Sequence, residues 1–239
     1  MIRILHTNDF HGKLTAERKA RLQELRATCD LYVDTGDAIR AGNLAIPLGR
    51  DPVWGHFADL NLTASVPGNR ESHVLSSIVA KKLDGASHPI LCANWWDTQG
   101  KLVFKSHLVV SAGEVKVGLV AAMVPMVTEK MKTRPLSQYL WTEPIQSIQE
   151  VFQNHKRDAD VWIALTHIGT RKDQLLAEKV QGLSAIIGGH SHDKLLWDSN
   201  QVGVPIVQAG SHGRFAGILT LTDQGNFHAH EIIDLPSGR

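Results

Sequence analysis

Cysteine is scarce in this 239-residue chain, with only Cys29 and Cys92, and their spacing matches neither a disulfide framework nor a cysteine metal site. A reducing compartment fits such a chain best. An excess of charge of one sign is also missing: 25 Lys and Arg stand against 24 Asp and Glu, a net of +1. No global field therefore argues for nucleic acid or an anionic membrane as a partner, and any recognition of phosphate has to be local. Long apolar runs are lacking as well. The longest, VGLVAAMVPMV from Val117 to Val127, contains Pro125 and falls far short of the roughly 20 residues that span a bilayer. It reads as a buried strand. The opening MIRILHTNDFHG has no apolar stretch of signal-peptide kind, so the expected location is the cytoplasm. With no repeat, low-complexity tract or Pro/Ser-rich linker, residues 1–239 read as a single domain.

Histidine, by contrast, is plentiful: there are 13, and imidazole is the commonest metal ligand. Short β-rich runs end again and again in polar clusters. Ile2 to Leu5 leads into HTNDFHG, LYVD into TGD, ASVP into GNRE, DVWIAL into THIG, SAII into GGHSH, and PIVQ into AGSHG. Several runs are followed by helical periods, the first capped by Thr15 with Leu22 and Leu25 facing inward. SHVLSSIVAKKL reads as another helix, with His73 in its first turn. Hairpins are expected around Ala112-Gly113 and Gln224-Gly225. The pattern is α/β with mixed sheets, and in such folds ligands bind at the carboxyl ends of the strands. The charged residues from Glu17 to Arg26 read as a solvated helix face, His6, His228 and His230 as structural, and His56, His88, His107 and His155 as solvated.

The clusters bring Asp9, His11, Asp37, Asn69, His167, His190 and His192, with His212 trailing. Carboxylate, amide oxygen and imidazole together suit Mn, Fe, Zn or Co better than an all-oxygen calcium cage. Seven ligands exceed the needs of one ion. Two divalent ions about 3.5–4 Å apart would use them, with Asp37 as the bridge, and such a pair can generate hydroxide from water while clamping a phosphoryl group. Gly188 and Gly189 remove bulk before His190, and an extended His190-Ser191-His192 would put both rings on one side.

Asp9-Phe10-His11, Gly36-Asp37, Gly68-Asn69-Arg70-Glu71, Thr166-His167 and Gly189-His190-Ser191-His192, in that order, resemble the calcineurin-like metallophosphoesterases, within them the branch that includes the 5'-nucleotidases. The resemblance implies a four-layer αββα sandwich. It also implies one ion held by Asp9, His11, Asp37 and His192 and a second held by Asp37, Asn69, His167 and His190. Two places depart from the family pattern. Where the family has histidine in Gly-Asn-His-Glu, this chain has Arg70, and where the nucleotidases have an orienting aspartate, it has His73. Arginine can donate two parallel hydrogen bonds to phosphate but cannot give up a proton. Arg70 is therefore expected to stabilise charge and His73 to be the proton donor, with Asn94 and His212 contacting substrate. Residues 1–239 are expected to be the metal domain alone, without the nucleoside-binding domain that the resemblance to the family nucleotidases would add.

The resulting expectation is a hydrolase for a small phosphate ester, a nucleotide or cyclic nucleotide first, acting without nucleic acid or membrane partners. The alternative is a catalytically silent metal-binding module that serves as a partner or sensor domain.

Overall fold

The computed structural model describes residues 1–197 and 203–237. One sheet runs β13 (Phe227–Asp234), β12 (Phe215–Leu221), β1 (Ile2–Thr7), β2 (Leu31–Asp34), β3 (Ala64–Ser65). The other runs β10 (Lys194–Trp197), β11 (Ile206–Ala209), β9 (Ala185–Ile187), β8 (Val161–His167), β6 (Val115–Met123), β5 (His107–Ala112). A short ribbon pairs β4 (Trp95–Asp97) with β7 (Tyr139–Trp141). Helices are α1 (Ala16–Arg26), α2 (Pro52–Asp59), α3 (Ser76–Lys82), α4 (Pro144–His155) and α5 (Thr170–Lys179). None of them is long and apolar enough to cross a membrane.

Alternation along the buried strands sets the layers. Val117, Leu119 and Ala121 of β6 and Val161, Ile163 and Leu165 of β8 meet Ile2, Ile4, Leu31 and Val33 of the first sheet in one core. Their neighbours Val120, Ala122, Trp162 and Ala164 turn the other way, onto Ile148 and Phe152 of α4 and Leu176 and Ala177 of α5. The outer face of the first sheet, with Leu5, Tyr32 and Ile218, packs on Leu22 and Leu25 of α1 and Trp54 and Phe57 of α2. The result is helix, sheet, sheet, helix: the four-layer αββα sandwich. β6 with β8, like β1 with β2, are covered on both faces and pair in parallel, whereas β12, also covered on both faces, is antiparallel to β1 and β13.

Both expected hairpins form, β5 to β6 through Gly113 and β12 to β13 through Gly225. Thr15 caps α1 by accepting from the Arg18 amide. Two helices escaped the periodicity reading, although each opens on an acid–proline pair: Asp51-Pro52 and Glu143-Pro144 cap α2 and α4. α3 is shorter than expected. The His73 ring accepts from the Leu75 amide at 3.1 Å, so residues 73–75 form a turn and His73 precedes the helix.

Other histidines are less solvated than expected. His88 lies against Trp54 and Phe57 and meets the Ser65 hydroxyl at 2.8 Å, and burial lowers its pKa to about 4. The rings of His107 and His155 lie 4.1 Å apart and tilted by 34°, with His155 bonded to Asp158. His6 is structural as expected, buried with its ring 2.9 Å from that of His230.

Gly118 of β6 lies beside Trp162 of β8, and a Cβ there would stand 2.5 Å from the indole ring. Gly118→Ala is expected to cost about 1–3 kcal/mol through overpacking, read as a lower urea midpoint with an unchanged slope; an unchanged midpoint would contradict this packing.

Candidate metal centre

Among the described residues, seven non-glycine positions have positive φ, and six of them are Asp9, His11, Asp37, His190, His192 and His212. A left-handed backbone costs an ordinary residue of order 1–3 kcal/mol and persists where the surroundings over-determine it. Here they do. The Glu71 carboxylate accepts from the backbone amides of Asp37, Ala38, Ile39 and Gly68 at 2.8–3.2 Å. Asn8 donates to Asp9 Oδ2 at 2.8 Å and accepts from the Ala209 amide, which ties the end of β1 to that of β11. Gly68 has to be glycine, because a Cβ would run into the Asp37 carboxylate.

The loops that follow β1, β2, β3 and β9, with His167 at the end of β8, bring the seven expected ligands together, and the loop after β11 adds His212 beside them. On one side, His11 Nε2 lies 3.5 Å from Asp9 Oδ1 and 3.4 Å from Asp37 Oδ2, and His192 Nε2 lies 3.2 Å from Asp9 Oδ1. On the other, His167 Nε2 is 3.6 Å from Asp37 Oδ1 and 3.2 Å from Asn69 Oδ1, which is 3.0 Å from His190 Nδ1. Asp37 thus presents one oxygen to each group. The His190-Ser191-His192 segment is not extended: both histidines are left-handed, and their rings go to different groups.

Partners on the far side of each ligand aim these atoms. His167 Nδ1 donates to the Thr35 carbonyl at 2.7 Å, leaving Nε2 for the cluster. Asn69 turns its amide nitrogen to Asn43 Oδ1 at 2.7 Å, which leaves its oxygen facing the two histidines. His11 Nδ1 is 3.3 Å from His212 Nε2, and His212 Nδ1 is 2.8 Å from Ser211 Oγ. A His11 that offers Nε2 inward donates Nδ1–H to His212, whose own Nδ1–H then goes to Ser211.

Burial works against charge on Asp9, yet the nearby His11 and His192 rings and the hydrogen bond from Asn8 hold its carboxyl far below the usual range. For His11, burial pushes down and is outweighed by Asp37 and Asp9, which raise the ring to about 9. Asp37 is lowered, against burial, by His11 and His167. The site therefore favours positive charge among its carboxylates. Asp9 Oδ1 and His11 Nε2 are buried without a hydrogen-bond partner, an arrangement that costs about 1–3 kcal/mol per atom unless something else satisfies them. A divalent cation with mixed N/O ligands fits that need. Asp9, His11 and His192 form one group of suitable spacing and Asp9, Asp37 and His167 another.

The remaining expected residues fare differently. Arg70 lies at the site: its amide donates to Asp37 Oδ1 at 2.7 Å, its Nε is 3.7 Å from Asp37 Oδ2, and its Nη1 donates to the Arg40 carbonyl. His73 has no hydrogen bond, ion pair or ring contact with any of the seven. Asn94 is fully buried, with its oxygen bonded to the Met123 amide and its nitrogen to the Met123 and Thr142 carbonyls, so no atom is left for a substrate. His212 stands beside His11 and His192, with ring centroids 4.7 and 5.5 Å away. Arg18, expected on a solvated face, is buried and donates to the His212 carbonyl at 3.0 Å. Its charge gave no sign of this role, which depends on where the last loop lands.

His212→Ala is expected to weaken divalent metal binding about 10–100-fold by freeing the His11 ring, measured by competition with a chromophoric chelator. His212→Gln, whose oxygen can accept the same proton, should recover much of the loss; unchanged affinity in the alanine variant would contradict the assignment.

Comparison with known proteins identifies the family. Residues 2–194 match the calcineurin-like phosphoesterase family. The chain is 26% identical over 268 residues to a 5'-nucleotidase of Diplobatis ommata, covering 93% of this chain and 46% of that protein. It is 28% identical over 262 residues to the trifunctional nucleotide phosphoesterase protein YfkN of Bacillus subtilis, covering 90% and 17%. Among solved structures, a Thermus thermophilus 5'-nucleotidase precursor superposes with a TM-score of 0.78 at 21% identity, over 98% of this chain and 54% of the other. A calcineurin-like phosphoesterase structure of YfkN gives 0.76 at 24% identity, over 99% and 92%. The chain thus spans less than half the length of these two curated relatives. With the fold, the ordered loops and the match over residues 2–194 in agreement, the chain belongs to the calcineurin-like phosphoesterase family.

Proposed function

We propose that this protein is a dinuclear metal-dependent phosphoesterase that hydrolyses a small phosphate ester, a nucleotide or cyclic nucleotide first, and works in the cytoplasm. The observation that carries the reading is Asp37, whose Oδ2 faces His11 and whose Oδ1 faces His167. In this reading Asp9, His11, Asp37 and His192 hold one ion, and Asp37, Asn69, His167 and His190 hold the other. Once bound, two divalent ions of the Mn, Fe, Zn or Co kind activate water and neutralise phosphoryl oxygens.

The chain's own residues supply the rest. The Arg70 guanidinium, beside Asp37 and half-buried, can donate two parallel hydrogen bonds to the phosphoryl group and stabilise the charge that develops on it. It cannot protonate the leaving group. His73 is not assigned that step, since it lies ahead of α3 and makes no hydrogen bond, ion pair or ring contact with any of the seven. A nucleotide substrate is supported by the names of two relatives, a 5'-nucleotidase and a nucleotide phosphoesterase.

The test is a screen of nucleoside monophosphates, cyclic nucleotides, sugar phosphates and a nitrophenyl phosphate, each with and without added Mn. Metal-dependent phosphate release supports the reading. Bound metal without turnover on any ester would leave the silent metal-binding module. On the best substrate, Arg70→Ala is expected to lower kcat by about 10²-fold with metal content intact, whereas Asp37→Asn should abolish turnover and lower bound metal more than His192→Ala does. Full activity after exhaustive chelation, with no response to Mn, would overturn the assignment.

A further inference from the structure

The side chain of Lys82, the last residue of α3, is only 1% exposed. Its Nζ meets four carbonyl oxygens, those of Arg70 at 2.6 Å and of Gly42, Asn43 and Ser72 at 2.9 Å. An ammonium has three N–H donors, so it is fully engaged and one proton is shared. Among the described residues it forms no ion pair. Burial lowers its pKa to about 8, Glu71 and Asp37 pull it up and Arg70 pushes it down; at neutral pH it remains mostly charged. A buried cation is costly, and this one does not serve the apolar cores.

The four carbonyls belong to two separate segments. Gly42 and Asn43 lie in the strap between β2 and α2, while Arg70 and Ser72 lie in the loop after β3. The same two segments are joined again at the metal centre. There the Asn69 amide donates to Asn43 Oδ1 at 2.7 Å, and Arg70 Nη1 donates to the Arg40 carbonyl at 3.0 Å. The side chains assigned to metal and to phosphate are thus both braced on the strap, and the strap is fixed to their own backbone through Lys82.

We propose that Lys82 is a positioning residue for catalysis: by binding the strap and the Arg70 loop together it holds the Arg70 guanidinium beside Asp37 before substrate arrives. A charge stabiliser contributes most when it is already in place and needs no reorganisation during the reaction. Lys82 also explains how a half-buried arginine keeps its aim with one carboxylate at 3.7 Å and a carbonyl of the strap. The inference rests on the phosphoesterase reading and adds a residue remote in sequence from its motifs.

The experiment is a double-mutant cycle on the full chain with Mn and the best substrate of the screen. Lys82→Gln keeps two donors but loses the charge and the reach. It is expected to lower kcat about tenfold or more in the Arg70 enzyme, to change KM less than about threefold, and to leave metal content intact. In the Arg70→Ala background the same change should cost less than about twofold, because no guanidinium remains to be aimed. Lys82→Arg, which keeps the charge, should recover part of the rate; where Lys82→Gln fails to fold, Lys82→Arg is read in the same cycle. Equal losses in both backgrounds, or no loss in the Arg70 enzyme, would overturn the proposal. Absence of turnover in the unmodified enzyme would instead overturn the phosphoesterase reading on which it rests.

Discussion

The Glu71 carboxylate holds four backbone amides from two loops, those of Asp37, Ala38 and Ile39 after β2 and that of Gly68 after β3. It is 2% exposed, so water cannot replace those bonds, and each amide left alone in such a place would cost about 1–3 kcal/mol. The arrangement turns Asp37 into a left-handed conformation and closes Gly68 against it. The distances from Asp37 to His11 and His167 depend on that placement. Asp37 touches both groups of ligands, and the Arg70 amide takes its aim from Asp37 Oδ1.

The second constraint is where the two sheets meet. Thr35 donates its hydroxyl to the Gly188 carbonyl at 2.8 Å and accepts from His167 at its own carbonyl, so a residue of the first sheet's loops locks two loops of the second. Asn8 does the same toward Ala209 and Gly210. The clustered side chains come from both sheets, and no single strand could supply them. A sandwich with parallel strands ending at one edge gives each sheet three such loops, and side-chain to backbone bonds across the seam set their relative positions. Acid groups and imidazoles crowded in this way leave Asp9 Oδ1 and His11 Nε2 without partners, which is the physical signature of a place built for a cation.

The sequence made the seven clustered side chains readable because each sits at or just after the end of a β-rich run, where strand and polar cluster are contiguous in the chain. The hairpins and the long apolar strand were readable for the same local reason. Residues whose roles depend on distant partners were not. Lys82 and Arg18 look like solvated helix charges until the loops that they bind are placed on top of them. His73 and Asn94 sit near motifs in the chain, but His73 lies in a turn ahead of α3 that does not reach the cluster, and core bonds to Met123 and Thr142 occupy the polar atoms of Asn94. The His190-Ser191-His192 spacing suggested a strand, whereas two left-handed residues send the rings to opposite groups. Helices α2 and α4 carried local signals, acid followed by proline, that periodicity alone does not weigh.

The central claim is that two ions, joined by Asp37, are needed for phosphate ester hydrolysis. It is tested most directly by titrating metal-stripped protein with Mn while bound metal and phosphate release are followed on the same sample. The account predicts little turnover at the first equivalent and a rise that levels off near about two ions per chain. Full activity at one bound ion, or two bound ions with no phosphate released from any ester tried, would contradict it.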